Sequence, residues 1–112
     1  MPWYYDPQSG GQKIPPSTIK KTEASVVAYE STRPWYPKYK LSLRFRGQFC
    51  YIDAREEGKH PFPIGRTRYL SENNWSLAFF TYSNERYEPC FISGQHTGTI
   101  LEAISVCEVY LT

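Results

Sequence analysis

The chain has 112 residues, and its 13 Lys and Arg against 11 Asp and Glu give a formal net charge of +2. A chain of this length can form one hydrophobic core but not two independent ones. Aromatic residues make up 17%, which excludes a disordered chain and predicts a core built from large rings. Dedicated nucleic-acid-binding domains are more basic, so charge alone favours neither a nucleic acid nor a membrane as partner.

Residues 1–16 are rich in Pro, Gly, Gln and Ser, and we predict a flexible N-terminal arm before a single α+β domain over residues 17–112. The chain does not begin with a basic segment followed by an apolar run, so no secretory signal is predicted. The apolar run over residues 77–80 is far too short to span a membrane. We therefore expect a cytoplasmic protein that does not bind membranes.

Residues 17–30 allow two predictions. Ser17 could cap a helical turn, and residues 20–27 have helical character. The β-branched residues within Ser25 to Tyr29 fit a strand equally well. The choice between helix and strand stays open here. Residues 33–37, which follow, contain two prolines and therefore cannot lie in the interior of a helix.

Alternation with a period of two begins after Lys38. Leu41, Leu43 and Phe45 alternate with polar residues, which predicts a strand, and Gly47 marks a turn into a returning strand over 49–54. Residues 55–63 are charged and then rich in proline, so they are predicted to form a loop.

Three further strands are predicted after this loop. Residues 64–70 also alternate with a period of two, which predicts a strand. Residues 75–82 are apolar on both faces toward their end, which predicts a strand at the centre of the sheet. Residues 87–92 are shorter and contain Pro89, which predicts an edge strand.

The C-terminal segment carries the clearest helical pattern. Thr99 and Glu102 have the spacing of a capping box, in which each side chain bonds a backbone N–H at the helix start. Apolar residues then recur at helical spacing: Ile100, Ala103, Ile104, Cys107 and Leu111. The predicted fold class is α+β, an antiparallel meander of about four to five strands with this helix packed on one face.

The order of residues also carries a resemblance. It rests on four segments: Pro63-Ile64-Gly65-Arg66-x-Arg68-Tyr69, Trp75-x-Leu77-Ala78-Phe79, Tyr82-Ser83-x-Glu85-x-Tyr87 and Gly98-Thr99-x-x-Glu102-Ala103. Over residues 38–112 the chain resembles small bacterial and cyanobacterial hypothetical proteins of unknown function. The resemblance implies a bacterial source and a shared fold, and it implies no activity.

Four arginines form the best candidate patch. Arg44 and Arg46 share one face of a strand by the period-two rule, and so do Arg66 and Arg68. Arginines interleaved with aromatic rings can grip single-stranded nucleic acid by pairing with phosphates and stacking bases. The alternative is a solvated face, where the arginine stems lie across rings and the charged heads stay in water. We favour the solvated face because the net charge is small.

The Cys and His residues do not predict a metal site. Zinc ligands normally occur as pairs two to four residues apart, and the candidate ligands are spread more widely: Cys50, His60, Cys90 and His96. Three cysteines without close pairs fit reduced thiols, and Cys50 and Cys107 are expected to act as small buried hydrophobes. No metal, cofactor or catalytic residue is predicted, although an enzyme using His60 and nearby carboxylates is a third possibility.

The leading functional hypothesis is a non-catalytic interaction module that binds another protein or a second copy of itself. It rests on surplus aromatics and on a sheet face left uncovered by a single helix. The predicted contact set is Trp35, Tyr36, Arg44, Arg46, Arg66 and Arg68. The alternative is a single-stranded nucleic-acid-binding domain that uses the same arginines. The bare face could also be covered by Trp3, Tyr4 and Tyr5 of the N-terminal arm.

Overall fold

The computed structural model describes residues 12–92 and 94–111. Its elements in chain order are α1 (Pro16–Glu30), β1 (Tyr39–Arg46), β2 (Phe49–Glu56), β3 (Phe62–Ser71), β4 (Asn74–Thr81), β5 (Arg86–Cys90), α2 (Ile100–Cys107) and a 3-10 helix (Glu108–Leu111). The strands form one antiparallel sheet of 5 strands in the order β1-β2-β3-β4-β5. The predicted α+β meander with a C-terminal helix is confirmed. The predicted covering by Trp3, Tyr4 and Tyr5 lies outside the described residues.

The hairpin between β1 and β2 sets the register of the first strands. Arg46 lies opposite Phe49, so Gly47 and Gln48 form a two-residue turn. Gly47 has φ of 60°, and such turns favour glycine at a central position because the left-handed region is costly for other residues. The turn therefore fixes which side chains of β1 and β2 lie opposite each other.

The segment at residues 17–30 is a helix, so the strand alternative is wrong. Thr22 and Val26 are buried and Ile19 and Tyr29 are half-buried, a spacing that puts all four on one face of α1. Residues 17–30 form a helix because this face is buried in the core. Burial outweighs the weak local preference of β-branched residues for strands. The predicted Ser17 cap is also wrong, since α1 begins after Pro15 with a proline in its first turn.

Both helices pack on the same face of the sheet, here called the inner face. α2 contacts β3 and β4, and α1 contacts β1 and α2. The core lies between this face and the helices, and its centre includes Ile52, Leu77 and Ile104. The predicted capping box is present, with the Thr99 N–H donating to Glu102 Oε1 at 2.8 Å and the Glu102 N–H donating to Thr99 Oγ1 at 3.2 Å.

Three predictions about the strands and their connections have different outcomes. The strand predicted at the centre is β4, which lies fourth in the order, and the central strand is β3. β4 is apolar on both faces because Phe80 packs against Tyr87 of β5 on the outer face, with ring centres 5.1 Å apart. The edge position predicted from Pro89 is confirmed, because β5 ends the sheet. The loop predicted over 55–63 is shorter, since β2 extends to Glu56 and β3 begins at Phe62.

Gly65 lets α2 approach the sheet closely. A Cβ atom at this position would lie 2.7 Å from Cys107 Sγ, and 3.4 Å from both the Ala78 carbonyl oxygen and Leu77 Cδ1. Cβ atoms do not approach sulfur this closely, so a side chain at residue 65 requires Cys107 Sγ or α2 as a whole to shift. The glycine is therefore a packing requirement of the helix–sheet contact.

We predict that Gly65→Ala lowers the free energy of unfolding by about 1–3 kcal/mol, because the new methyl group overpacks this contact. Urea denaturation of Gly65→Ala, Cys107→Ala and the double variant measures the effect. The double variant should be more stable than the sum of the single changes implies, since removal of the sulfur makes room for the methyl group. Additive single changes would show that the clash is not the cause.

Candidate binding face

The register brings the four predicted arginines onto the outer face of the sheet, opposite the helices. Arg44 lies opposite Tyr51, and Tyr51 lies opposite Arg66. In the next row, Arg46 and Arg68 flank Phe49 in the same way. We call these two rows across β1, β2 and β3 the arginine face: Arg44, Tyr51, Arg66, Arg46, Phe49 and Arg68. Each row pairs one aromatic residue of β2 with an arginine on either side.

Aromatic rings lie against the guanidinium groups of Arg44, Arg66 and Arg68. The Arg44 Cζ lies 4.9 Å from the Tyr51 ring centre. The Arg66 Cζ lies 4.6 Å from the Phe49 ring centre and 5.2 Å from that of Tyr87, so Arg66 spans from β2 to β5. Arg68 also lies over Phe49, at 5.1 Å. Contacts of this length are cation–π interactions, which contribute about 0.5–1 kcal/mol each at exposed sites.

Asp53 orients Arg44 further. Its Oδ2 accepts a hydrogen bond of 2.7 Å from Arg44 Nε, and its Oδ1 accepts one of 3.3 Å from Arg44 Nη2. The Asp53 side chain is 11% exposed and that of Arg44 57% exposed. The hydrogen bond that Arg44 donates to Asp53 raises the pKa of Arg44 above its usual value. The pair thus holds a charged guanidinium at the surface of β1.

The outer face is more basic than the net charge suggests. Lys40 and Arg55 lie opposite each other and share the outer face with Arg44 and Arg46. Among the described outer-face residues of β1 and β2, Asp53 is the only one with a carboxylate side chain. Several other carboxylates lie in the helices and the 3-10 turn, including Glu30, Glu102 and Glu108. The outer face of β1 and β2 is thus net positive.

Exposure falls across the arginine face from β1 toward β4. Arg44 and Arg46 are exposed and Arg66 is half-buried. Arg68 is only 4% exposed, and Ser76 of β4, which lies opposite it, is 3% exposed. The solvated-face interpretation therefore fits Arg44 and Arg46 and does not fit Arg68. The accessible part of the face is the part formed by β1, β2 and Arg66.

Trp35 and Tyr36 do not lie on the arginine face. Trp35 is 6% exposed and belongs to the core, and Tyr36 is half-buried against the same core. Trp35 Nε1 donates a hydrogen bond of 3.0 Å to Glu108 Oε1 in the C-terminal 3-10 helix. These two residues of the predicted contact set are thus placed on the helix side. The sequence carries no local signal for this, because Trp35 and Glu108 are 73 residues apart.

Glu108 joins three segments of the helix layer. Besides Trp35, its Oε1 accepts hydrogen bonds from Arg33 Nε at 2.6 Å and from the Tyr29 hydroxyl at 3.1 Å. Its side chain is 14% exposed and that of Arg33 35% exposed. The contact ties the end of α1 and the following loop to the C-terminal 3-10 helix. Its role is structural, since it lies away from the arginine face.

The rings that complete the arginine face were only partly predicted. The sequence predicts aromatic rings beside the arginines without specifying which ones. Tyr51 takes such a position, whereas Tyr69, next to Arg68 in the chain, is buried against Trp75, with ring centres 5.1 Å apart. Phe49 and Tyr87 were missed. The two-residue turn at Gly47 is the signal that could have placed Phe49, because such a turn puts it directly opposite Arg46.

The Cys and His residues are scattered. Cys50 and Cys107 are fully buried, and burial raises the pKa of each thiol to about 12. Burial also raises the pKa of Cys90. His60 is exposed in the turn between β2 and β3. Within residues 12–92 and 94–111, no group of three or more His, Cys, Asp or Glu could hold a metal ion.

Comparison of the chain with models of known families, with curated proteins and with solved structures gave no match. The resemblance to small bacterial proteins therefore stays a prediction. In the described ranges, neither helix has the length and apolar character needed to cross a membrane. Any functional proposal thus rests on the geometry of the arginine face.

We predict that Glu108→Ala lowers the free energy of unfolding by about 2–3 kcal/mol, because it leaves the mostly buried donors of Arg33 and Trp35 without their acceptor. Urea denaturation measures the change. Glu57→Ala is the control, since Glu57 is exposed in the β2–β3 turn and should change stability by less than about 0.5 kcal/mol. Equal effects in the two variants would contradict the structural role of Glu108.

We also predict that iodoacetamide labels Cys50 and Cys107 only when the protein unfolds. The thiolate is the reactive form, and burial with a pKa of about 12 keeps both groups protonated and inaccessible at neutral pH. Cys90 is half-buried and should react before either. Mass spectrometry after labelling with and without urea separates the three sites. Rapid labelling of Cys50 in the native protein would contradict the packing of β2.

Proposed function

We propose that the protein is a non-catalytic binding module for an acidic protein partner, which docks on the accessible part of the arginine face. The observation that carries the proposal is the pair of rows in which an aromatic residue of β2 is paired with an arginine on either side. Arg44 and Arg46 are the exposed contacts and Arg66 is the half-buried one. Arginine and tyrosine are enriched at the centres of protein interfaces, where they combine charge with rigid apolar area.

An acidic protein fits this face better than a single-stranded nucleic acid. Nucleic-acid platforms stack bases on the open faces of aromatic rings. Here the rings already carry guanidinium groups, with Arg66 at 4.6 Å from the Phe49 ring centre and Arg44 at 4.9 Å from that of Tyr51. A base would have to displace these contacts. Carboxylates need no ring face, because they bond the N–H groups of the guanidinium directly.

A second copy of the chain is a poorer partner through this face. A twofold-symmetric contact places the same surface patch on both sides. Arg44, Arg46 and Arg66 of one copy would then face the same arginines of the other, and like charges brought together in an interface oppose binding. The self-association considered from the sequence is therefore replaced by a partner of opposite charge.

The test is binding of labelled poly-L-glutamate, measured by fluorescence anisotropy at low ionic strength. We expect the double variant Arg44→Gln/Arg46→Gln to bind at least about tenfold more weakly, since two charge-assisted contacts are removed. The matched control is Lys20→Gln/Lys21→Gln, which removes the same charge from the exposed surface of α1. It should bind nearly as the unmodified protein does. The Lys21–Glu72 ion pair that it breaks is exposed on both sides and contributes little to stability.

Two results would overturn the proposal. Equal weakening in the two double variants would mean that net charge, not the arginine face, governs binding. Tighter binding of a labelled oligothymidylate than of poly-L-glutamate, with the same dependence on Arg44 and Arg46, would favour a nucleic acid as partner. Circular dichroism melting of each variant checks that the fold is retained.

A further inference from the structure

The two edges of the sheet differ in their capacity to accept another strand. β5 has 5 residues and contains Pro89, which cannot donate a backbone hydrogen bond. Proline is a common protection against strand pairing at a sheet edge. β1 has 8 residues and no proline. The β1 edge is therefore the one at which backbone pairing could continue.

Alternate residues of β1 direct their backbone groups away from β2. The Tyr39 N–H donates to the Trp35 carbonyl at 2.9 Å, and the Leu41 N–H donates to Glu30 Oε2 at 2.9 Å. Neither acceptor belongs to β2, so the backbone N–H and C=O groups of the odd-numbered β1 residues point away from β2, at the edge of the sheet. The backbone groups of Leu43 and Phe45 follow in the same direction by the period of the strand.

The chain itself closes both ends of this edge. Trp35 and Glu30 occupy the donors at residues 39 and 41, and the Gly47 carbonyl accepts from the Ile14 N–H at 3.0 Å. Between them, no described residue bonds the outward groups of Leu43 and Phe45, because the strand order ends at β1. The open part of the edge thus runs from the Leu41 carbonyl to Phe45, the length of a short extended peptide. Glu30 shows that a carboxylate fits as acceptor at this edge.

Side chains beside this open part of the edge define the partner's chemistry. Arg44 and Arg46 stand on the outer face, whereas Leu43 and Phe45 are half-buried on the inner face. A strand added to β1 would place its own residues alternately beside these two sets. Acidic residues fit beside the arginines and apolar residues beside Leu43 and Phe45. A second β1 strand does not fit, since it would bring arginines against arginines.

We propose that the β1 edge accepts an extended segment of the acidic partner in which carboxylate and apolar residues alternate, adding a sixth strand to the sheet. This inference rests on the proposed function and specifies how the partner binds. In this mode, main-chain hydrogen bonds to Leu43 and Phe45 supply affinity, and the carboxylates beside Arg44 and Arg46 select the partner and fix its register.

The test uses a short labelled peptide in which valine and glutamate alternate, with two N-methylated versions. One carries methyl groups on the valine amides and the other carries the same number on the glutamate amides. Only one set of amides can face β1: the valine amides in an antiparallel arrangement, the glutamate amides in a parallel one. We expect one methylated peptide to lose at least about tenfold in affinity and the other to bind nearly as the parent peptide does.

The outcomes separate this inference from the proposed function. Equal affinities of the two methylated peptides, whether both retained or both weakened, would overturn strand addition. If poly-L-glutamate binding still depends on Arg44 and Arg46 in that case, the proposed function stands without it. If Arg44→Gln/Arg46→Gln changes binding of neither poly-L-glutamate nor the peptide, both proposals fail.

Discussion

The pairing register of β1, β2 and β3 is the constraint on which the surface chemistry of this protein depends. The two-residue turn at Gly47 puts Arg46 opposite Phe49, and every other pair on the two strands follows from that. Because side chains alternate with a period of two, a slip of one residue would move the arginines into the core and Leu43 and Phe45 into water. The free-energy cost of that exchange locks the register, and the locked register aligns the rows of rings and guanidiniums.

Packing on the inner face supports the same arrangement. Gly65 permits α2 to lie against β3, and the Glu108 carboxylate draws the end of α1 and the following loop onto the C-terminal 3-10 helix. Both helices therefore lie on one face, and carboxylates such as Glu108 remain with them. A chain with nearly balanced charge thus acquires one basic surface through its topology, since the strands direct their arginines to the side without helices.

The parts of the fold that local patterns encode could be predicted from the sequence. The alternation in β1, the edge position of β5 and the capping box at Thr99 each depend on neighbouring residues, and all three are present. Local patterns leave residues 17–30 undecided between helix and strand, because their β-branched residues become helical only through burial against the rest of the core. Likewise, the burial of Trp35 depends on Glu108, which lies far away in the chain. At the candidate site, the period-two rule predicts which arginines share a face. The rings beside those arginines follow only from the pairing register of β1, β2 and β3.

The stacking of Arg66 between Phe49 and Tyr87 has a consequence for the thermodynamics of association. A freely rotating arginine side chain carries about 2 kcal/mol of rotamer entropy, which an interface must remove when it orders the side chain. Rings from β2 and β5 have already restricted this side chain during folding, and Asp53 has done the same for Arg44. The loss of side-chain entropy is therefore part of the free energy of folding and not of association. An interface formed on these groups would therefore lose less conformational entropy than the number of arginines implies.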